Sequence, residues 1–237
     1  MEKRIDIKKE SKSVHAFIRS FKKGSKKFRT VLTHNQNRNQ DRTNLRTVNT
    51  FCVLTDTQVP EPDHLGKILG LWNRSFLQNE VREFLFKEHN NCLALNNRTA
   101  HFIANANDKC SFCKILNPDT NQKENFRHLF FDCPVTRTAL NGFLLISRIR
   151  VRGNDPNLKT IFWYGTNGNI DCTDLMLIFE LFRYGIWKCK LRKLIPRSIE
   201  ITKTVSTMLE NILKIRPKIR IKMETNPSCS LYLQALG

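Results

Sequence analysis

The strongest constraint on this chain is a spacing, Cys110-x2-Cys113-x14-His128-x4-Cys133, with Pro134 directly after the last cysteine. Two residues between a pair of cysteines let a tight turn aim both thiolates at one ion, about 2.3 Å away in a zinc site. The second half of the motif has to bring an imidazole and a thiolate to the same tetrahedral centre. In an unbroken α-helix five residues rotate the chain by about 500°, which leaves His128 and Cys133 roughly 140° apart. Pro134 offers the way out. It biases Cys133 away from helical backbone, so the helix carrying His128 is expected to end near Asp132, with Cys133 on the exit turn. Four protein ligands leave no open position, so the expected Zn2+ is single and structural; catalytic zinc keeps a position free. Its binding would contribute roughly 10 to 16 kcal/mol at neutral pH, comparable with the whole stability of a domain. The competing reading is a redox or incidental Cys-x-x-Cys beside an unrelated histidine, and His101 is the other imidazole within reach, at a poorer spacing.

The surroundings of this motif carry a family resemblance. Arg82-Glu-Phe-Leu-Phe-Lys87, Asn90-Asn91, Leu95-Asn-Asn-Arg98, Cys110-Ser-Phe-Cys113 and His128-Leu-Phe-Phe-Asp-Cys133-Pro134 resemble the zinc-binding region downstream of the polymerase in LINE-type (non-LTR) retrotransposon reverse transcriptases. The likeness covers residues 75 to 195 and fades away from the cysteines. Position by position, it implies that Cys110, Cys113, His128 and Cys133 are the ligands and that the chain works in a nucleic-acid context. Endonuclease and polymerase domains do not fit in the residues before 75. The resemblance therefore implies a carboxyl-terminal remnant, an accessory subunit of a reverse transcriptase core, or a domesticated fragment.

Charge points the same way as the resemblance. Forty Lys and Arg against 21 Asp and Glu give a net charge of +19 and a pI near 9.9. Such a field favours a polyanionic partner, with nucleic acid the first candidate and an anionic membrane surface the second. No apolar run approaches the roughly 18 residues needed to span a bilayer. The Met1-Glu-Lys-Arg start has no signal-peptide apolar region, so an intracellular place, nuclear or cytoplasmic, is expected. Reduced thiols are then expected too, and Cys52, Cys92, Cys172, Cys189 and Cys229 read as core or surface thiols.

In chain order, residues 1–62 read as a basic segment and linker. Val14, Phe17, Ile18 and Phe21 keep helical spacing, and Arg38, Arg42 and Arg46 would align on one helix face as phosphate contacts or as a solvated stripe. Residues 63–215 read as a helical domain that contains the zinc knuckle at about 108–135. Its helices are marked by Leu65, Ile68, Leu69, Trp72 and Phe76; by Val81, Phe84 and Leu85; by Leu140, Phe143 and Leu144; by Leu175 to Trp187; and by Ile201, Val205, Met208, Leu209, Ile212 and Leu213. Trp72, Phe84 and Phe86 read as core, with base stacking the sharper alternative. Leu175 to Trp187, broken by Glu180 and Arg183, reads as a deeply buried helix and not as a membrane span. Its basic end, Lys188, Lys190, Arg192 and Lys193, suits a helix C-terminus and equally a backbone phosphate. Residues 216–237 read as a basic tail, and Lys214, Arg216, Lys218, Arg220 and Lys222 form the second choice of phosphate-contact surface.

No catalytic constellation emerges. There is no Walker-type loop, no His-Glu-x-x-His and no pair of aspartates of the kind that holds two metal ions, and Asp63 with Glu80 or Glu83 lacks the lysine that a nuclease of the restriction type requires. The expected fold is mainly α, with one Cys-Cys-His-Cys zinc knuckle and at most a short β-hairpin at the metal. The expected function is binding of RNA or DNA through basic surfaces without catalysis. The alternative is a structural or protein-interaction module docking on a polymerase or another protein.

Overall fold

The computed structural model describes residues 76–149, 158–164, 166–167, 170–171, 173–225 and 230–235, all within one compact unit, Thr47–Gly237. The expected helix over Leu65 to Trp72, the amphipathic stripe near residue 17 and Arg38, Arg42 and Arg46 lie outside these residues. Nine α-helices are described: α1 Asn79–His89, α2 Asn96–Thr99, α3 Ser111–Leu116, α4 Pro134–Ile146, α5 Leu158–Tyr164, α6 Thr173–Leu191, α7 Ser198–Ile215, α8 Pro217–Thr225 and α9 Ser230–Ala235. One two-residue antiparallel pair, β1 Thr166–Asn167 with β2 Ile170–Asp171, joins α5 to α6. The protein is mainly α.

The core forms around α6. This helix packs against α1, α5 and α7, and α7 also lies along α4 and α8. Leu175 to Trp187 are buried on every side, which explains the absence of a polar face from that stretch. In α7 the apolar stripe is one-sided: Ile201, Val205, Leu209, Ile212 and Leu213 are buried while Lys203, Glu210 and Lys214 border it. A continuous aromatic cluster fills the space between α6 and the knuckle. Phe126 stacks near Trp163 at 5.1 Å and Phe130 at 5.2 Å, Phe131 meets Phe162 at 5.2 Å, and Phe162 meets Phe179 at 5.2 Å. Phe84 belongs to this core, whereas Phe86 is 65% exposed.

A charge pair lies inside the apolar interior. Arg183 of α6 and Glu88 of α1, both wholly buried, meet through Nε to Oε1 at 2.7 Å and Nη2 to Oε2 at 3.1 Å. The third nitrogen donates to the Phe162 carbonyl at 2.7 Å, and the guanidinium lies 5.0 Å from the Trp163 ring centre. Fork-to-fork geometry satisfies the buried charges and fixes how α1 and α5 sit on α6.

The carboxyl-terminal segment differs from the tail expected of it. Residues 217–225 and 230–235 are helical, with Met223, Tyr232 and Leu233 buried, and Tyr232 reaches Phe143 of α4 and the Ser206 hydroxyl of α7. The alternation of Lys and Arg with Ile in α8 hides the buried Met223 from a periodicity reading, because Ile221 nearby is 61% exposed.

Candidate metal centre

Cys110, Cys113, His128 and Cys133 converge, and their donor atoms all lie within 4.8 Å of one another. The separations are 3.9 Å for Cys110 Sγ to Cys133 Sγ, 3.5 Å for Cys113 Sγ to Cys133 Sγ and 3.3 Å for Cys113 Sγ to His128 Nε2. All four residues are buried. This is a ligand set able to hold one metal ion, and all four positions come from the protein.

Each half of the site has its own local cause. Cys110 precedes α3 in extended backbone and Cys113 sits inside that helix, so the short helix supplies the turn between them. The two extended segments flanking the site touch at a single antiparallel bridge, Lys109 with Lys123. It is framed by Cys110 N–H to the Gln122 carbonyl and Glu124 N–H to the Asp108 carbonyl, both 2.8 Å. The hairpin at the metal goes no further than this bridge.

The second half resolves the angular problem in a way the sequence did not announce. Residues His128–Asp132 form a π-helical turn, closed by the Cys133 N–H donating to the His128 carbonyl at 2.7 Å, five residues back. Such a turn takes in one residue more than an α turn, so Cys133 returns over His128 instead of passing it. The entry is fixed by the Asn125 side chain, which accepts from the His128 N–H at 2.7 Å, and Arg127 spans the turn to Asp132 at 2.5 Å. Cys133 is extended (φ −60°, ψ 126°) and Pro134 occupies the first turn of α4, as its fixed φ favours.

Glu124 is the residue that sequence reasoning missed. Its buried carboxylate accepts from the Asn96 N–H at 2.9 Å, the Ser111 N–H at 3.1 Å and the Ser111 hydroxyl at 3.0 Å, and pairs with Lys190 Nζ at 2.7 Å. It thereby holds the first residue of α3, between the two knuckle cysteines, to the start of α2 and the end of α6. Asn96 adds to this lock, its side chain donating to the Lys109 carbonyl at 2.8 Å and to Ser111 Oγ at 3.0 Å. No spacing rule links Glu124 to Ser111 or Lys190.

The three thiols share their protons through mutual hydrogen bonds. Cys133 is drawn down to about 4, first because the Cys110 thiol donates to it and then, against burial, through His128, the Thr136 N–H and Cys113. Cys110 is pushed far above the ordinary thiol range by holding the proton it shares with Cys133 and by burial. Burial, then Cys133, pushes Cys113 up to about 11. Three thiolates so close together repel one another, and a bound cation reverses that balance.

The remaining site candidates are dispersed. His101 is exposed and takes no part in the cluster. Lys190, read as a phosphate contact, is instead an internal cation: its side chain is 8% exposed, paired with Glu124 and bonded to the Ala94 carbonyl at 2.8 Å. Arg192 and Lys193 are exposed on the turn after α6, and Lys188 lies over the Tyr184 ring at 5.6 Å. Lys214, Arg216 and Lys218 are exposed around the junction of α7 and α8, where Arg216 covers Phe76 at 6.0 Å. Among the described residues no helix is long and apolar enough to cross a membrane. Comparison with protein-family models, with curated proteins and with solved structures gives no match.

Proposed function

We propose that the chain is a nucleic-acid-binding module stabilised by one structural zinc ion, akin to the region downstream of the polymerase in LINE-type reverse transcriptases. Its role is to hold RNA or DNA through basic surfaces without catalysis of its own. Zinc is favoured by the donor set. Three buried sulfurs and an imidazole form a closed soft site, and tetrahedral zinc with bonds of about 2.3 Å to sulfur sets neighbouring sulfurs about 3.8 Å apart. The sulfur separations here are 3.5 and 3.9 Å.

The observation that carries the nucleic-acid reading is the attachment of the basic end of α6 to the knuckle. Lys190 is locked to Glu124, which also holds Ser111, so Lys188, Arg192 and Lys193 leave the same helix end beside the metal centre. A net charge of +19 supplies the long-range attraction. Fluorescence anisotropy with labelled single-stranded RNA and duplex DNA between 50 and 200 mM salt tests this. Binding whose logarithm falls linearly with log salt is expected, with a slope shallower by about 2 in single-stranded RNA when Lys188, Arg192 and Lys193 are replaced by alanine. No binding at 50 mM salt would overturn the reading.

A second reading, docking on a polymerase or another protein, draws on apolar side chains left in solvent before and after the Cys110–Cys113 turn in the chain. Phe102 is 87% exposed and Leu116 66% exposed, with Ile103 and Ile115 also outward. Exposed large apolar groups in one neighbourhood mark interaction surfaces.

A further inference from the structure

Apart from the metal centre, α1 and α6 enclose a groove of about 330 Å³, within the size range of small-ligand pockets. Each helix presents one face to it. Glu80, Glu83, Phe84 and Lys87 follow the i, i+3, i+4, i+7 spacing on α1, and Tyr184, Trp187, Lys188 and Leu191 repeat it on α6. Phe84, Tyr184 and Trp187, each nearly buried, form an apolar floor, and the exposed Leu191 forms a wall.

Both charges line this floor, Glu80, Glu83 and Lys87 from α1 and Lys188 and Arg192 from α6. Arg192 and Lys188 contribute cations at the α6 end, and among the described residues no carboxylate pairs with either. Glu80 and Glu83 line the groove from α1. Each spends one oxygen inside the protein, Glu80 accepting from the Tyr184 hydroxyl at 2.8 Å and Glu83 pairing with Lys87 at 2.6 Å, and each has a second oxygen with acceptor capacity. An occupant that satisfies both ends carries an anionic group, a flat apolar body and an N–H donor. A nucleotide with an exocyclic amine has all three, and carboxylates are the natural acceptors for such an amine.

We infer that this groove is a subsite for one unstacked nucleotide of a single strand, its phosphate held by Lys188 and Arg192 and the amino group of its base by Glu80 or Glu83. The inference rests on the nucleic-acid reading above and adds to it a base preference, cytosine over uracil, that phosphate contacts cannot supply.

The test compares fluorescein-labelled oligo(rC) and oligo(rU) of eight residues, matched in charge and ring size, on the full zinc-loaded chain. The wild type should bind oligo(rC) about tenfold more tightly than oligo(rU). Glu80→Ala/Glu83→Ala should lose that preference, with oligo(rU) bound at least as tightly as by the wild type because negative charge has been removed and oligo(rC) no longer bound more tightly than oligo(rU). Lys188→Ala/Arg192→Ala should weaken both and make the salt slope shallower by about 1.4. Circular dichroism and metal content matching the wild type establish that each variant is folded. Equal binding of the two oligonucleotides by the wild type overturns the subsite and leaves the nucleic-acid reading standing. So does a preference that survives in Glu80→Ala/Glu83→Ala. Failure of the wild type to bind either oligonucleotide at 50 mM salt overturns both, and binding of a poly-glutamate peptide as tight as that of oligo(rC) overturns the base contact in favour of an acidic protein partner.

Discussion

Replacing Glu124 by glutamine changes one atom and should disturb both the fold and the metal. The carboxylate meets four donors: two backbone N–H groups, the Ser111 hydroxyl and the Lys190 ammonium. A glutamine side chain offers one carbonyl oxygen and turns an NH2 toward the rest, so at least one donor faces another donor. Lys190, 8% exposed, keeps the Ala94 carbonyl but loses its counter-charge. Breaking a buried pair from one side costs about 3 to 5 kcal/mol. Because Ser111 opens the helix between Cys110 and Cys113, the same change loosens the ligands, and groups that orient ligands in this way are typically worth 10- to 100-fold in metal affinity. Urea unfolding of the metal-loaded protein and a competition titration against a zinc chelator would measure the two effects. Glu124→Gln/Lys190→Met, which removes both charges, should recover part of the stability but little of the affinity, since Ser111 and Asn96 still face an amide. A Glu124→Gln protein within 0.5 kcal/mol of the wild type and unchanged in zinc affinity would refute the claim that this carboxylate positions the knuckle.

Two further outcomes follow from the packing. His89, buried near Arg183 with its Nδ1–H donating to the Leu85 carbonyl (2.6 Å), is held down to about 3, chiefly by burial. Its folded value lies below the unfolded one near 6.5, so the unfolded chain takes up the proton first and stability is lost as pH falls from 6.5 towards 3. Between pH 7 and 5 this residue alone should remove about 2 kcal/mol; urea midpoints at the two pH values should converge for His89→Leu relative to the wild type, and an identical pH dependence in both would contradict it. At Gly142, where α4 crosses the start of α7, an added Cβ would run into the Ser198 hydroxyl and stand 2.7 Å from Ser198 Cβ. Gly142→Ala should therefore destabilise by about 1 to 2 kcal/mol in urea despite the gain in helix propensity, with partial recovery in Gly142→Ala/Ser198→Gly; a more stable Gly142→Ala would contradict the close crossing.

How much of this was legible in the sequence depended on the range over which each feature acts. The Cys110-x2-Cys113 turn and the break at Cys133-Pro134 are local, and α7 announces itself because its stripe Ile201, Val205, Leu209, Ile212 is buried on one side only. The π turn was legible merely as a difficulty, since the 140° mismatch between His128 and Cys133 required some departure from an α-helix without saying which. Glu124 and Lys190 stand 66 positions apart in sequence, and Glu88 and Arg183 lie 95 apart. Spacing rules reach one or two helical turns and cannot pair them. For the same reason Lys190 read as a surface cation, and the exposure of Phe86 beside the buried Phe84 was settled only by the packing of α1 on α6.

Metal content per chain, by native mass spectrometry on the wild type beside Cys110→Ser/His128→Ala, tests the central claim most directly. One zinc ion per wild-type chain, none in the double variant, and loss of its helical circular dichroism are the predicted results. A wild-type chain that is folded without metal would contradict the account.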